Sequence, residues 1–133
     1  ILSTLSEEID FTWQYYTLQK IRFDNRIELT TAIDPALRNW RIPSMSLQTL
    51  VENAVKHNSI TGSNPLHVRI RTEGESLVIE NNYTPRNDRN AESLGVGLER
   101  IRSVYRFYTE ENITISAGEG TFSCRLPLLP PEK

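Results

Sequence analysis

Residues 42–58 read IPSMSLQTLVENAVKHN. Pro43 suits a first helical turn, and the pattern predicts a helix from about there to Asn58. Leu47, Leu50, Val51 and Ala54 recur at helical spacing and form one apolar stripe. The other side keeps Thr49, Glu52, Asn53, Lys56 and His57. Glu52 and Lys56 are i,i+4 neighbours, as are Asn53 and His57. A solvated face with a helix-stabilising ion pair accounts for Glu52 and Lys56. Asn53 is harder to place, because asparagine is a poor helix former. An amide oxygen and a carboxylate can hold a hard cation such as Mg²⁺, and a lysine can meet phosphate. A phosphate–metal site and a plain surface both remain open on chemistry alone.

Upstream, residues 4–23 are predicted as a helix, with Thr4 and Glu7 at capping-box spacing. Leu5, Ile9, Trp13, Tyr16 and Phe23 would share its apolar face. Residues 26–33 alternate apolar and polar like a strand, which Asp34 and Pro35 break. Downstream, two alternating strands at 66–72 and 76–81 are joined by a turn at Glu73 and Gly74. Residues 82–94 are rich in turn formers and read as the longest loop, a length often given to function. A third helix is expected to begin at Gly95–Gly97 and run to about residue 107. A hairpin, NITIS then TFSCRLPL, closes the chain. Helices separated by hairpin pairs predict an α/β fold: a two-layer sandwich of a mixed, largely antiparallel sheet with helices on one face.

The 133 residues suit one domain. Apolar residues make up 38%, enough for a core, and the net charge of -2 gives no basic field for nucleic acid. The single cysteine, Cys124, excludes an internal disulfide and alternates with Phe122 and Leu126 like a small core residue. One cysteine and two histidines make a zinc site improbable. His67 alternates with Arg69 and Arg71 on an exposed strand face. There is no membrane-length apolar run, no signal peptide, no Walker-type loop and no nucleophile elbow. The first residue is Ile rather than Met, so a processed product or an excised piece is expected.

Two further stretches invite a functional reading. In SLGVGLERI, residues 93–101, two glycines precede an amphipathic segment, an arrangement in which backbone N–H groups can meet an anion. A flexible glycine-rich helix start is the plainer alternative. At the end of VIENN, residues 78–82, Asn81 and Asn82 read either as turn residues or as an amide aimed at a base edge.

Taken in order, these pieces resemble the GHKL family of ATPases and kinases, and most closely its LytS-type sensor histidine kinases. IPSMSLQTLVENAVKHN is similar to that group's N box, GVGLERIRSVY to its second glycine box, and GEGTFSCRLPL to its closing hairpin. The opening helix through YTLQKIRFDNRIEL resembles the segment that follows the phosphoacceptor helices. The resemblance implies a Bergerat-type ATP-binding fold. Residues 1–25 would be the linking helix and 26–133 the catalytic domain.

By the same resemblance ATP and Mg²⁺ are the cofactors. Asn53 would be the Mg²⁺ ligand, with Glu52 beside it to orient a water or the metal shell. Lys56 would meet the phosphates, and His57 would line the nucleotide pocket. Gly95, Gly97 and Leu98 would form the turn from lid to helix that cradles the phosphates. Residues 83–94 would be the ATP lid, with Arg86 and Arg89 as phosphate contacts. Thr121 would lie near the adenine. Asn81 stands where the family has an aspartate that accepts from the adenine amino group, keeping a carbonyl but not the charge. Tyr83 stands where it has glycine.

The implied activity is transfer of the ATP γ-phosphoryl group to a histidine outside this chain. The implied partners are the acceptor helices of the same kinase, as a homodimer, and a response regulator with a LytTR-type DNA-binding domain. The membrane would be met only through N-terminal segments of an inner-membrane protein, this domain being cytoplasmic. Asn81 and Tyr83 also support an alternative, a degenerate signalling or dimerisation module with weak or no nucleotide binding. A serine kinase of the same family fits less well, given the long lead-in helix.

Overall fold

Period-2 alternation in the central strands and 3.6-residue periodicity in the helices build two layers. The computed structural model describes residues 1–84 and 91–132, apart from the side chains of 91–96. The elements run β1 (Leu2–Thr4), α1 (Leu5–Arg22), β2 (Ile27–Ala32), β3 (Arg41–Pro43), α2 (Ser46–His57), β4 (Leu66–Glu73), β5 (Ser76–Asn82), α3 (Ala91–Tyr105), β6 (Thr114–Gly118) and β7 (Thr121–Pro127). The large sheet has the order β2-β4-β5-β7-β6. β2 runs parallel to β4, and the other neighbours pair antiparallel. This is the expected mixed, largely antiparallel sheet.

Its inner face presents Ile27, Leu29, Val68, Ile70, Leu77, Ile79, Cys124 and Leu126. They meet Leu47, Leu50, Val51 and Ala54 of α2 and Leu98, Ile101 and Tyr105 of α3 in one buried cluster. Burial of each large side chain here stabilises by roughly 2 kcal/mol. The Tyr105 hydroxyl, taken into the core, is paired: it donates to the Pro127 carbonyl at 2.8 Å. Burial pushes the Cys124 thiol up to about 12, consistent with a core residue. On the outer face Arg71 and Arg125 pair with Glu73 and Glu80. No helix among the described residues is long and apolar enough to cross a membrane.

Three sequence expectations are corrected. In α1 the capping box of Thr4 and Glu7 forms. The buried line, however, is Leu5, Glu8, Thr12 and Tyr16, while Trp13 is exposed. Two polar residues occupy this face because each is hydrogen-bonded: Thr12 Oγ1 donates to the Glu8 carbonyl at 2.8 Å, and Glu8 meets backbone groups of α2.

Pro43 does not open α2. It pairs with Leu2 across the small β1–β3 sheet, and α2 starts at Ser46 after Met45 turns the chain at φ 70. α3 starts at Ala91 rather than at Gly95–Gly97, so both glycines lie inside the helix.

Candidate functional site

Asn53 and His57 are one helical turn apart on α2, so both face the same way. Together with Leu50, Ala54 and Asn58 they form one wall of a cleft. The opposite wall is Asn81 at the end of β5, then Tyr83, and Phe122 on β7. The register of the sheet explains the opposite wall. Asn81 pairs with Phe122, so both side chains point to the helix layer, and the Tyr83 and Phe122 ring centroids lie 5.9 Å apart. Thr121 pairs with Asn82 and by the same alternation stands on the other face. Phe122, which sequence reasoning missed, takes the place in the cleft expected of Thr121.

The two wall asparagine positions left open by the sequence now separate. Asn82 is structural: its Oδ1 accepts from the His67 N–H at 2.7 Å and its Nδ2 donates to the Pro65 carbonyl at 2.8 Å. Asn81 is 3% exposed, and its Nδ2 donates to the Asn82 carbonyl at 2.8 Å. Its Oδ1 is the acceptor this side chain can offer at the cleft.

Two buried side-chain nitrogens in the cleft wall, Asn53 Nδ2 and His57 Nε2, have no hydrogen-bond partner among the described residues. Leaving such atoms unpaired costs roughly 1–3 kcal/mol each, a cost a polar ligand would remove. As hydrogen-bond donors these nitrogens suit the oxygens of a phosphate-bearing ligand, while a Mg²⁺ ion would need the amide oxygen of Asn53 instead. Mg²⁺ takes few protein oxygens and draws most of its shell from phosphates and water, so a single amide oxygen suffices. Among the described residues no cluster of three or more His, Cys, Asp or Glu could hold a metal without such help.

Asn58, also missed by the sequence reading, fixes the chain where it leaves the cleft. Its Nδ2 donates to the Ala54 carbonyl at 2.8 Å, and its Oδ1 accepts from the Thr84 N–H at 2.7 Å. Tyr83 N–H donates to the Gly120 carbonyl at 2.7 Å. Residues 85–90, which carry Arg86 and Arg89, lie outside the described residues.

Gly97 faces α2, as the nucleotide-cleft reading requires. A Cβ there would lie 3.1 Å from Thr49 Cγ2 and 3.7 Å from Asn53 Nδ2. The glycine therefore lets two helices approach, and the contact is reinforced by Arg100, which donates to Thr49 Oγ1 at 3.0 Å. Helix propensity alone would make Gly97→Ala stabilising by roughly 1 kcal/mol. We expect the opposite sign, a loss of about 1 kcal/mol from overpacking. Thr49→Ser in the same chain should recover most of it by removing Cγ2 while keeping the hydroxyl. Urea denaturation of the two single variants and the double variant checks this, and a gain in stability from Gly97→Ala alone would refute it.

Not every expected residue meets the cleft. Leu98 is buried in the core. Lys56 is exposed on α2. Glu52 accepts from Gln48 Nε2 at 3.0 Å and lies on the α1 side. There burial, helped by the Glu52 carboxylate, pushes the Tyr15 phenol up to about 12. For Gly95 only the helical backbone is described.

No family model matches the chain. It is 31% identical over 134 residues to the sensor histidine kinase BtsS of Escherichia coli K12, covering 93% of this chain and 24% of that protein. It is 31% identical over 123 residues to the sensor histidine kinase YesM of Bacillus subtilis 168, covering 87% and 20%. These homologues are sensor histidine kinases.

The catalytic domain of histidine kinase ThkA, solved free of nucleotide, superposes with a TM-score of 0.61 at 16% identity, over 98% of this chain and 97% of that one. The fold is thus that of histidine kinase catalytic domains. The chain spans about a quarter of the length of BtsS and less of YesM.

Proposed function

We propose that this chain is the ATP-binding catalytic domain of a sensor histidine kinase of the LytS type. The reading rests above all on one observation, the pair of buried nitrogens on Asn53 and His57, unpartnered among the described residues and facing Asn81 across one cleft. Asn53 would hold Mg²⁺, and Lys56, exposed on α2 outside the cleft lining, would reach the phosphates only from the rim. His57 would line the pocket, and Asn81 would accept from the adenine amino group. Gly97 would keep α3 close to Asn53. The lid arginines Arg86 and Arg89 would add phosphate contacts, whereas Glu52, paired with Gln48 on the α1 side, takes no part in this reading. Bound Mg·ATP supplies the phosphoryl group, and the protein's part is positioning and charge neutralisation.

The acceptor would be a histidine on helices outside this chain, in a homodimeric kinase anchored in the inner membrane. Its phosphoryl group would pass to a response regulator with a LytTR-type domain. A second reading, a degenerate signalling or dimerisation module with weak or no nucleotide binding, is favoured by the Tyr83 ring standing in the cleft against Phe122.

Competition between ATP and GTP tests the adenine assignment. GTP presents a carbonyl where adenine presents an amino group, so the Asn81 oxygen would face another acceptor. ATP should bind tighter by about one to two orders of magnitude, the cost of one buried unpaired polar group. Equal affinities would remove Asn81 from the base site.

A further inference from the structure

Helix α2 starts without a cap of its own. Its N-cap residue, Met45, is left-handed at φ 70 and makes no side-chain capping bond. A helix start exposes unpaired N–H groups and a partial positive charge. Here the acceptor comes from another helix. Glu8 of α1 takes the Met45 N–H on Oε2 at 3.1 Å and the Leu47 N–H on Oε1 at 3.2 Å. Glu8 is 3% exposed, and Leu47 is fully buried. A carboxylate so withdrawn from water is tolerated only while its oxygens stay paired, so the contact holds α1 and α2 in one register. α1 is itself anchored, Leu5 N–H donating to the Trp40 carbonyl at 2.7 Å and Ser6 N–H to the Arg38 carbonyl at 3.0 Å. Leu50, Asn53, Ala54 and His57 line the cleft from the same α2. Because a helix of 12 residues moves as a rod, a shift at its first turn reaches Asn53.

We propose that Glu8 is a positioning residue of the cleft: by bridging the first turn of α2 it sets where Asn53 and His57 stand. This inference rests on the nucleotide-site reading given above. It also makes α1 the element through which a displacement upstream would alter that site.

The test compares Glu8→Ala, Glu8→Gln and Thr12→Val in the full chain. Thr12 is buried on the same face of α1 and among the described residues bonds to the Glu8 carbonyl, so its substitution probes α1 packing without removing a hydrogen bond to α2. Mg·ATP affinity is titrated at a temperature where circular dichroism shows every variant folded, and amide exchange is followed along residues 47–57.

Glu8→Ala should weaken binding by about tenfold, the scale of one charge-assisted hydrogen bond, and should speed exchange along α2. Glu8→Gln retains one carbonyl acceptor and should lie between Glu8→Ala and the parent. Thr12→Val should lower the melting temperature yet keep affinity and α2 exchange close to the parent. Should Glu8→Ala not fold, Glu8→Gln against Thr12→Val decides on the same two readouts. Parent-like affinity in the Glu8 variants, or a loss matched by Thr12→Val, would overturn the positioning role. If the parent chain binds no Mg·ATP, the nucleotide reading falls, and α2 exchange still decides the matter: exchange unchanged by the Glu8 substitutions would overturn the coupling as well.

Discussion

Asn53→Ala is expected to cut Mg²⁺-dependent ATP binding by about two orders of magnitude while leaving the fold in place. The amide nitrogen has no partner among the described residues, so the substitution breaks no hydrogen bond within them through it. The side chain lies on the cleft side of α2, away from Leu47 and Val51 in the core, and alanine is the better helix former. Stability should therefore change by no more than about 1 kcal/mol. Loss of the one amide oxygen offered to the metal should weaken Mg·ATP by about two orders of magnitude, the upper range for a hydrogen bond or ligand to a charged group. Titration of ATP with and without Mg²⁺, beside a urea melt, reads both quantities. A clear loss of stability with binding unchanged would make Asn53 a structural residue.

The second large effect is an all-or-none one. Incubated with Mg·ATP, this chain should form no acid-labile phosphohistidine. Its two histidines are both engaged elsewhere. His57 belongs to the wall of the cleft, with Nε2 buried among residues that would bind the nucleotide. From there it would flank the phosphates rather than stand in line behind the γ-phosphate, as transfer requires. His67 lies on β4, its Nε2 3.3 Å from Thr30 Oγ1 on β2. A longer chain that adds the acceptor helices should label readily, and that label should vanish with Asn53→Ala. Robust labelling of the present chain at His57 or His67 would contradict the assignment. Failure of the longer chain as well would favour the degenerate reading.

The features written locally in the sequence are the ones the sequence reading recovers. The apolar stripe of α2 carries Asn53 and His57 on its other side, and the alternation of β4, β5 and β7 sets the sheet. The motifs also bring Asn53 and Gly97 together, although a glycine pair reads as a helix start when its use is close packing against Thr49. What escapes is non-local. Glu8 is buried because it caps a helix 37 to 39 residues away, and no periodicity encodes that. Pro43 becomes a strand residue because Leu2 pairs with it. Asn58 reads as a helix exit until Thr84 is found on its amide oxygen, 26 residues on. Thr121 and Phe122 differ by one position, which in a strand exchanges the cleft face for the opposite one. Arg86 and Arg89 fall outside the described residues and stay expectations from the resemblance.

The central claim is that the cleft between α2 and the adjoining ends of β5 and β7 takes Mg·ATP. Isothermal titration of the chain with ATP, run once with Mg²⁺ and once with a chelator, tests it most directly. The account predicts saturable one-to-one binding with Mg²⁺ that weakens at least about tenfold without it, since the metal links the phosphates to Asn53. Absence of saturable binding in both titrations would contradict it.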